Sequence, residues 1–176
     1  SKVKVIFLAN PNNPTGSIFY RNELLEFIKS INKKTFIVLD AAYSEYIEDS
    51  LYSDGLEFVK KYNNIIVTKS FSKIFGLGGL RVGWGYAHIN TIKKLYQVKK
   101  PFNVNRLASE AAIESLKSKS WLKKQSKLNQ MNKNFFIKGL NNTKFEIIDT
   151  LANFILIRFR SEKMTNQFSL FAKKHK

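Results

Sequence analysis

Two short, almost wholly apolar runs constrain this chain most: Thr35-Phe36-Ile37-Val38-Leu39, closed by Asp40, and Asn64-Ile65-Ile66-Val67-Thr68. Such runs suit central strands of a sheet covered on both faces. Ahead of them Val3 to Ala9 reads as a further buried strand, followed by the dense turn signal Asn10-Pro11-Asn12-Asn13-Pro14-Thr15-Gly16. Arg21 to Ile31 then places Leu24, Leu25, Ile28 and Ile31 on one helical face, the pattern of a helix packed on a sheet. After the loop from Lys69 to Leu80, Arg81-Val82-Gly83-Trp84-Gly85-Tyr86-Ala87 supplies another strand. Strand, helix, strand and further strands describe an α/β layer.

From Ile89 onward the chain turns helical, with Ile89 to Val98, Leu107 to Leu116 and Trp121 to Leu140 as three predicted helices. The last carries Leu122, Gln125, Leu128, Met131 and Phe135 near one face. Lys117, Lys119, Lys123, Lys124, Lys127, Lys133 and Lys138 read as its solvated surroundings, because neither aromatic platforms nor base-reading side chains are interleaved with them. Two more strands, Phe145 to Ile148 and Phe154 to Ile157, and a terminal helix from about Glu162 look like the start of a second, smaller α/β unit.

Composition narrows the function classes. With no cysteine there is no disulfide framework, no thiolate nucleophile and no cysteine-based zinc site. Ser1 to Phe7 alternates polar and apolar residues, which makes neither a signal-peptide core nor a membrane span. The formal charge of +17 raises the possibility of a basic nucleic-acid-binding module. Its distribution argues otherwise, since the basic residues are spread along the chain and the asymmetry lies in the acids. No carboxylate occurs from Phe58 through Ser109, nor from Ser115 through Phe145, and an anion is expected near the first stretch.

Lys73, in Ser70-Phe71-Ser72-Lys73-Ile74-Phe75-Gly76-Leu77, follows an apolar strand directly. A lysine at the C-terminal edge of a sheet can be held partly out of water, leaving its amine able to attack a carbonyl and form a Schiff base. Asp40 ends another strand at the edge where open α/β sheets bind ligands, and a carboxylate there can pair with the protonated ring nitrogen of pyridoxal phosphate. Tyr43 and Asn13 can donate to the phenolate oxygen of the same cofactor. Ser70, Ser72 and Arg81 offer two hydroxyls and a guanidinium to its phosphate. Competing motifs fail on context. Gly76-Leu77-Gly78-Gly79 lacks dinucleotide-loop spacing, no P-loop is present, and His88 and His175 have no partners at metal-ligand spacing. Ser44 and Glu45 read as a polar turn, Asn103 and Asn105 as loop caps or an active-site margin, and Arg158 and Arg160 as a solvated strand edge.

Asn12-Asn13-Pro14-Thr15-Gly16, Asp40-Ala41-Ala42-Tyr43, Ser70-Phe71-Ser72-Lys73 and Gly79-Leu80-Arg81-Val82-Gly83 resemble, in order and rough spacing, the class I/II pyridoxal-phosphate aminotransferases. The fuller forms, with Ser44-Glu45-Tyr46, Pro101-Phe102-Asn103-Val104-Asn105 and Ala152-Asn153-Phe154, are most similar to histidinol-phosphate aminotransferases. The resemblance implies a fold type I large domain, a mostly parallel sheet flanked by helices, joined to the start of a small C-terminal α/β domain. Residues 1–115 are then part of the cofactor-binding domain, 116–140 a long connecting helix and 141–176 the beginning of the small domain.

The resemblance also implies roles. Lys73 is the catalytic residue and forms the internal aldimine, Asp40 pairs with the ring nitrogen, Asn13 and Tyr43 contact the phenolic oxygen, and Ser70, Ser72 and Arg81 hold the phosphate. The implied reaction converts histidinol phosphate and 2-oxoglutarate to imidazole acetol phosphate and glutamate in histidine biosynthesis. An aromatic amino-acid aminotransferase or a phospho-amino-acid decarboxylase would share the same motifs. A cytoplasmic homodimer without nucleic acid, membrane or metal is expected. Such enzymes have further segments on both sides of the matched region, so the chain is expected to be a central-to-C-terminal piece holding part of a sheet with an unpaired edge.

Overall fold

The computed structural model describes residues 2–141, 143 and 145–175. Ser1, at the head of the alternating Ser1 to Phe7 segment, and Lys176 lie outside them, as do Asn142 and Lys144. Among the described residues four strands, β1 (Val5–Ala9), β2 (Phe36–Asp40), β3 (Ile65–Ser70) and β4 (Gly83–Ala87), form one sheet in the order β1-β2-β3-β4. The first three are parallel and β4 runs antiparallel to β3. Among the described residues β1 and β4 are the edge strands of this sheet, each pairing on one side only.

The parallel pairings require crossovers, and the chain supplies them from its helical segments. Helix α1 (Arg21–Ser30) joins β1 to β2, and its N-terminus is tied by the Glu23 carboxylate, which accepts from the Tyr20 amide at 2.8 Å. The short α2 (Leu56–Val59) lies in the β2 to β3 crossover. Leu24 and Ile28 of α1 and Phe58 and Val59 of α2 pack with Ile37, Leu39, Ile65 and Val67, all buried. Successive strand residues face opposite sides, so these four strand residues line one face. The other face is less covered than the apolar runs predict: Phe36, Val38 and Ile66 are half-buried and Phe7 is 79% exposed. The helices packed in this core supply cover to one side only.

The predicted helices appear as α3 (Ile89–Val98), α4 (Arg106–Lys117) and the 22-residue α5 (Lys119–Leu140). Asn105 is a loop cap: its side chain accepts from the Ala108 amide at 2.8 Å. Beyond α5, β5 (Glu146–Ile148) and β6 (Leu156–Arg158) form an antiparallel pair, followed by α6 (Glu162–Lys174). Lys133 is not a solvated lysine of α5 but is 5% exposed, and it donates to Asp149 Oδ1 at 2.8 Å and to the Thr150 carbonyl. The ion pair pins the segment after β5 to α5. That segment in turn backs the loop after β1, where Gly16 has a φ of 68° and a Cβ would overlap the Thr150 side chain.

Candidate active site

The C-terminal ends of β1, β2 and β3 deliver their following loops to one edge of the sheet. In the first loop, Asn10 is 2% exposed and acts as an internal brace. Its amide NH₂ donates to the carbonyls of Phe19 (3.1 Å) and Ser53 (3.4 Å), while its side-chain oxygen accepts from the Phe19 amide (2.8 Å). The loop is closed by the Gly16 amide, which donates to the Asn12 carbonyl at 2.7 Å. Asn13 is thereby held at the crest.

In the second loop, Asp40 is the exposed last residue of β2, and its Oδ1 accepts from the Ala42 amide at 3.1 Å. The register pairs Asp40 with Ala9 and Thr68, so its side chain shares a sheet face with Thr68 and, two residues on, Ser70. Three residues later Tyr43 is 7% exposed, and its hydroxyl accepts from Asn13 Nδ2 at 2.9 Å. The Phe154 ring meets the Tyr43 ring edge-on with centroids 5.4 Å apart.

The third loop is rooted by its apolar residues. Phe71, Ile74, Phe75 and Val82 are buried against Ala108 and Ala112 of α4, and Trp121 Nε1 donates to the Ile74 carbonyl at 3.2 Å. With those four facing inward, Ser70, Ser72 and Lys73 remain half-buried at the sheet edge. Lys73 Nζ lies 4.9 Å from the centroid of the Tyr43 ring. The Ser72 amide donates to Ser70 Oγ at 3.0 Å, and Arg81 Nη1 reaches Ser72 Oγ at 3.4 Å and the Gly78 carbonyl at 2.7 Å. Arg81 has a φ of 55°, a left-handed conformation uncommon for a residue with a side chain and concentrated at functional sites. Among the described residues neither Lys73 nor Arg81 forms an ion pair.

The structure therefore brings Asn13, Tyr43 and Lys73 into direct contact and links Ser70, Ser72 and Arg81 through hydrogen bonds. Asp40 stands at the same edge, bonded within its own turn. Two unpaired cations, two hydroxyls and an Asn–Tyr pair fit a phosphorylated, aldehyde-bearing aromatic ligand such as pyridoxal phosphate: a donor-rich end for a dianion, and an amine for a carbonyl. The site is an open shelf. A cleft of 970 Å³ lies elsewhere, lined by Tyr20, Tyr46, Asp49, Lys123 and Lys127 among others.

A profile of the family described as Aminotransferase class I and II matches residues 1–174. The chain belongs to this family. It is 40% identical over 156 residues to a histidinol-phosphate aminotransferase of Caldicellulosiruptor saccharolyticus, an alignment that covers 89% of this chain and 44% of the relative. The chain thus spans less than half of that relative's length. Its fold superposes with a TM-score of 0.85 on the histidinol-phosphate aminotransferase of Clostridium acetobutylicum, at 26% identity and covering 98% of this chain and 53% of that one. The Sinorhizobium meliloti histidinol-phosphate aminotransferase, solved in complex with pyridoxal-5'-phosphate, superposes with a TM-score of 0.86 at 23% identity, covering 93% and 44% of the two chains.

This aminotransferase-family chain also contains polar residues that sequence reasoning passed over. Ser44 and Glu45, expected as a plain polar turn, are respectively buried and ion-paired, both with Lys69. The available signal was the strand alternation, which puts Lys69 on the same face as Ile65 and Val67 and so among buried residues.

Proposed function

We propose that this chain carries the pyridoxal-phosphate centre of an enzyme that transfers an amino group between histidinol phosphate and 2-oxoglutarate. The observation that carries the reading is the gathering of Lys73 and Arg81, both without carboxylate partners among the described residues, beside the hydrogen-bonded Asn13 and Tyr43. When bound, pyridoxal phosphate supplies a protonated ring that draws electrons from the substrate's α-carbon. Asp40 holds the proton on the ring nitrogen. Tyr43 and Asn13 bind and orient the phenolic oxygen, and Ser70, Ser72 and Arg81 bind the phosphate. Lys73 would hold the cofactor's carbonyl carbon through Nζ, and its free amine would accept the proton from the substrate α-carbon. Within this reading residues 1–115 belong to the cofactor domain, 116–140 connect and 141–176 open the small domain. The resemblance further implies a cytoplasmic homodimer.

The choice of histidinol phosphate rests on the likeness to the Caldicellulosiruptor enzyme over most of this chain. The test uses the full-length protein loaded with pyridoxal phosphate. A visible absorption band that disappears in Lys73→Ala is expected. Turnover should be faster with histidinol phosphate than with phenylalanine or tyrosine as donor. A protein with no such band, binding nucleic acid in a salt-sensitive way instead, would overturn the enzyme reading. Equal or faster turnover of the aromatic donors would overturn the substrate.

A further inference from the structure

Lys69 lies four residues before Lys73, and its side chain leaves the opposite face of β3 from Ser70. That side chain is only 9% exposed. Its ammonium donates to Ser44 Oγ at 2.7 Å and to Glu45 Oε1 at 2.9 Å, and it meets Asp54 Oδ2 at 2.6 Å. An ammonium has three N–H donors and no acceptor, so these three oxygens saturate it. Glu45 depends on it in turn: the second carboxylate oxygen, Oε2, is buried without a hydrogen-bond partner among the described residues.

The three acceptors come from two segments. Ser44 and Glu45 directly follow Tyr43. Asp54 follows Tyr52 and Ser53, and these two brace the loop that carries Asn13: Tyr52 Oη donates to the Asn10 carbonyl at 2.6 Å, and the Ser53 carbonyl accepts from Asn10 Nδ2 at 3.4 Å. One buried ammonium behind the sheet therefore ties together the segments that bear Tyr43 and brace Asn13, whose side chains meet at 2.9 Å on the cofactor side.

We propose that Lys69 is a positioning residue of the cofactor site, holding the Tyr43 hydroxyl and the Asn13 amide in register through Ser44, Glu45 and Asp54. The proposal rests on the reading of Tyr43 and Asn13 as contacts to the cofactor's phenolic oxygen. Without the ammonium, two carboxylates would face each other with no cation between them and would drive the two segments apart. Arginine keeps the charge but presents a planar fork in place of a compact three-donor head, so Lys69→Arg restores the contacts in part.

The test compares wild type, Lys69→Met and Lys69→Arg in the full-length protein, with two readouts. The first needs no cofactor. Amide hydrogen exchange at Asn10, Tyr46 and Ile47, which donate to Asp40, Tyr43 and Ser44 carbonyls, should rise roughly tenfold or more in Lys69→Met while the α1 amides stay protected. The second is the bound pyridoxal phosphate. The pH midpoint of its visible band should move, its dissociation constant should weaken by roughly tenfold, and Lys69→Arg should recover part of both. Unchanged exchange at those three amides overturns the proposal. So does a lowered melting temperature with the band midpoint and dissociation constant of the wild type, the behaviour of a merely structural ion pair. A wild-type protein without any Lys73-dependent band would instead overturn the underlying reading of the site, and the proposal with it.

Discussion

The two sides of β3 treat positive charge in opposite ways. On one side Lys69 is enclosed by Ser44, Glu45 and Asp54, every N–H matched to an oxygen. On the other, Lys73 and Arg81 stand at the sheet edge with a ring, a hydroxyl and a carbonyl for company and no carboxylate. A buried charge must be compensated, and when the chain does the compensating the charge is spent on holding the fold. Cations gathered and left uncompensated are available to an anion from outside. Lys69, Lys73 and Arg81 all lie in the acid-free stretch from Phe58 through Ser109, and the acids that enclose Lys69 come from the separate segment between Glu45 and Glu57.

That contrast predicts that stability without cofactor separates the two sides. The largest effect belongs to Lys73. Lys73→Ala should lower turnover of the full-length enzyme by roughly 10²–10⁴-fold or more, the range for loss of a positioned proton-transfer group. Its melting temperature without cofactor should stay near wild type. A marked fall in that temperature would mean that Lys73, like Lys69, serves the fold, and the contrast would break.

Next in size is Lys69→Met, which should destabilise by about 3 kcal/mol, the low end for breaking a buried pair, because Asp54 keeps 26% of its side chain exposed. The triple variant Lys69→Met/Glu45→Gln/Asp54→Asn should regain much of that loss by removing the stranded carboxylates. Denaturant titrations of the single and triple variants check this. If the two are equally unstable, the cost comes from lost packing of the lysine stem and not from charge.

How far the sequence shows this contrast depends on the range of the interactions. The strands β2 and β3 and helices α1, α3, α4 and α5 follow from apolar runs and helical periodicity, which are local. The cofactor-side residues are legible because they sit in turn motifs with fixed spacing from a strand end. Lys69 is not, because its partners lie 15 or more residues away in sequence. Lys133 escapes notice for the same reason, its Asp149 partner being brought in by the packing of a separate segment. The openness of the second sheet face is also invisible in the runs, since Val38 and Ile66 have the same composition whether covered or not.

Arg81 gives a smaller and cleaner separation. Its φ of 55° suits glycine, so Arg81→Gly removes the guanidinium without straining the backbone. Cofactor affinity should fall by about 1.5–3 kcal/mol for the loss of a charge-assisted contact, measured by titrating pyridoxal phosphate. Stability without cofactor should hold or rise slightly. An unchanged affinity would remove Arg81 from the phosphate site.

The smallest effect tests the enclosed side through Tyr52. Its hydroxyl donates to the Asn10 carbonyl at 2.6 Å, and burial, with Asp54 and Glu45 nearby, pushes its ionisation well above the usual tyrosine value. Tyr52→Phe leaves the Asn10 carbonyl without this donor and should lower stability by about 1–1.5 kcal/mol at neutral pH. The pH dependence carries the sign. A group whose ionisation is raised by folding contributes its stability in full below the unfolded value of about 10, and loses it as pH climbs past that value, because the unfolded chain releases a proton the folded chain retains. Wild type should therefore lose its advantage over Tyr52→Phe progressively above about pH 10. A stability difference that stays constant across that range would show Tyr52 ionising as freely in the folded chain as in the unfolded one, and its hydroxyl would then not be the buried brace on Asn10 that this side of β3 relies on.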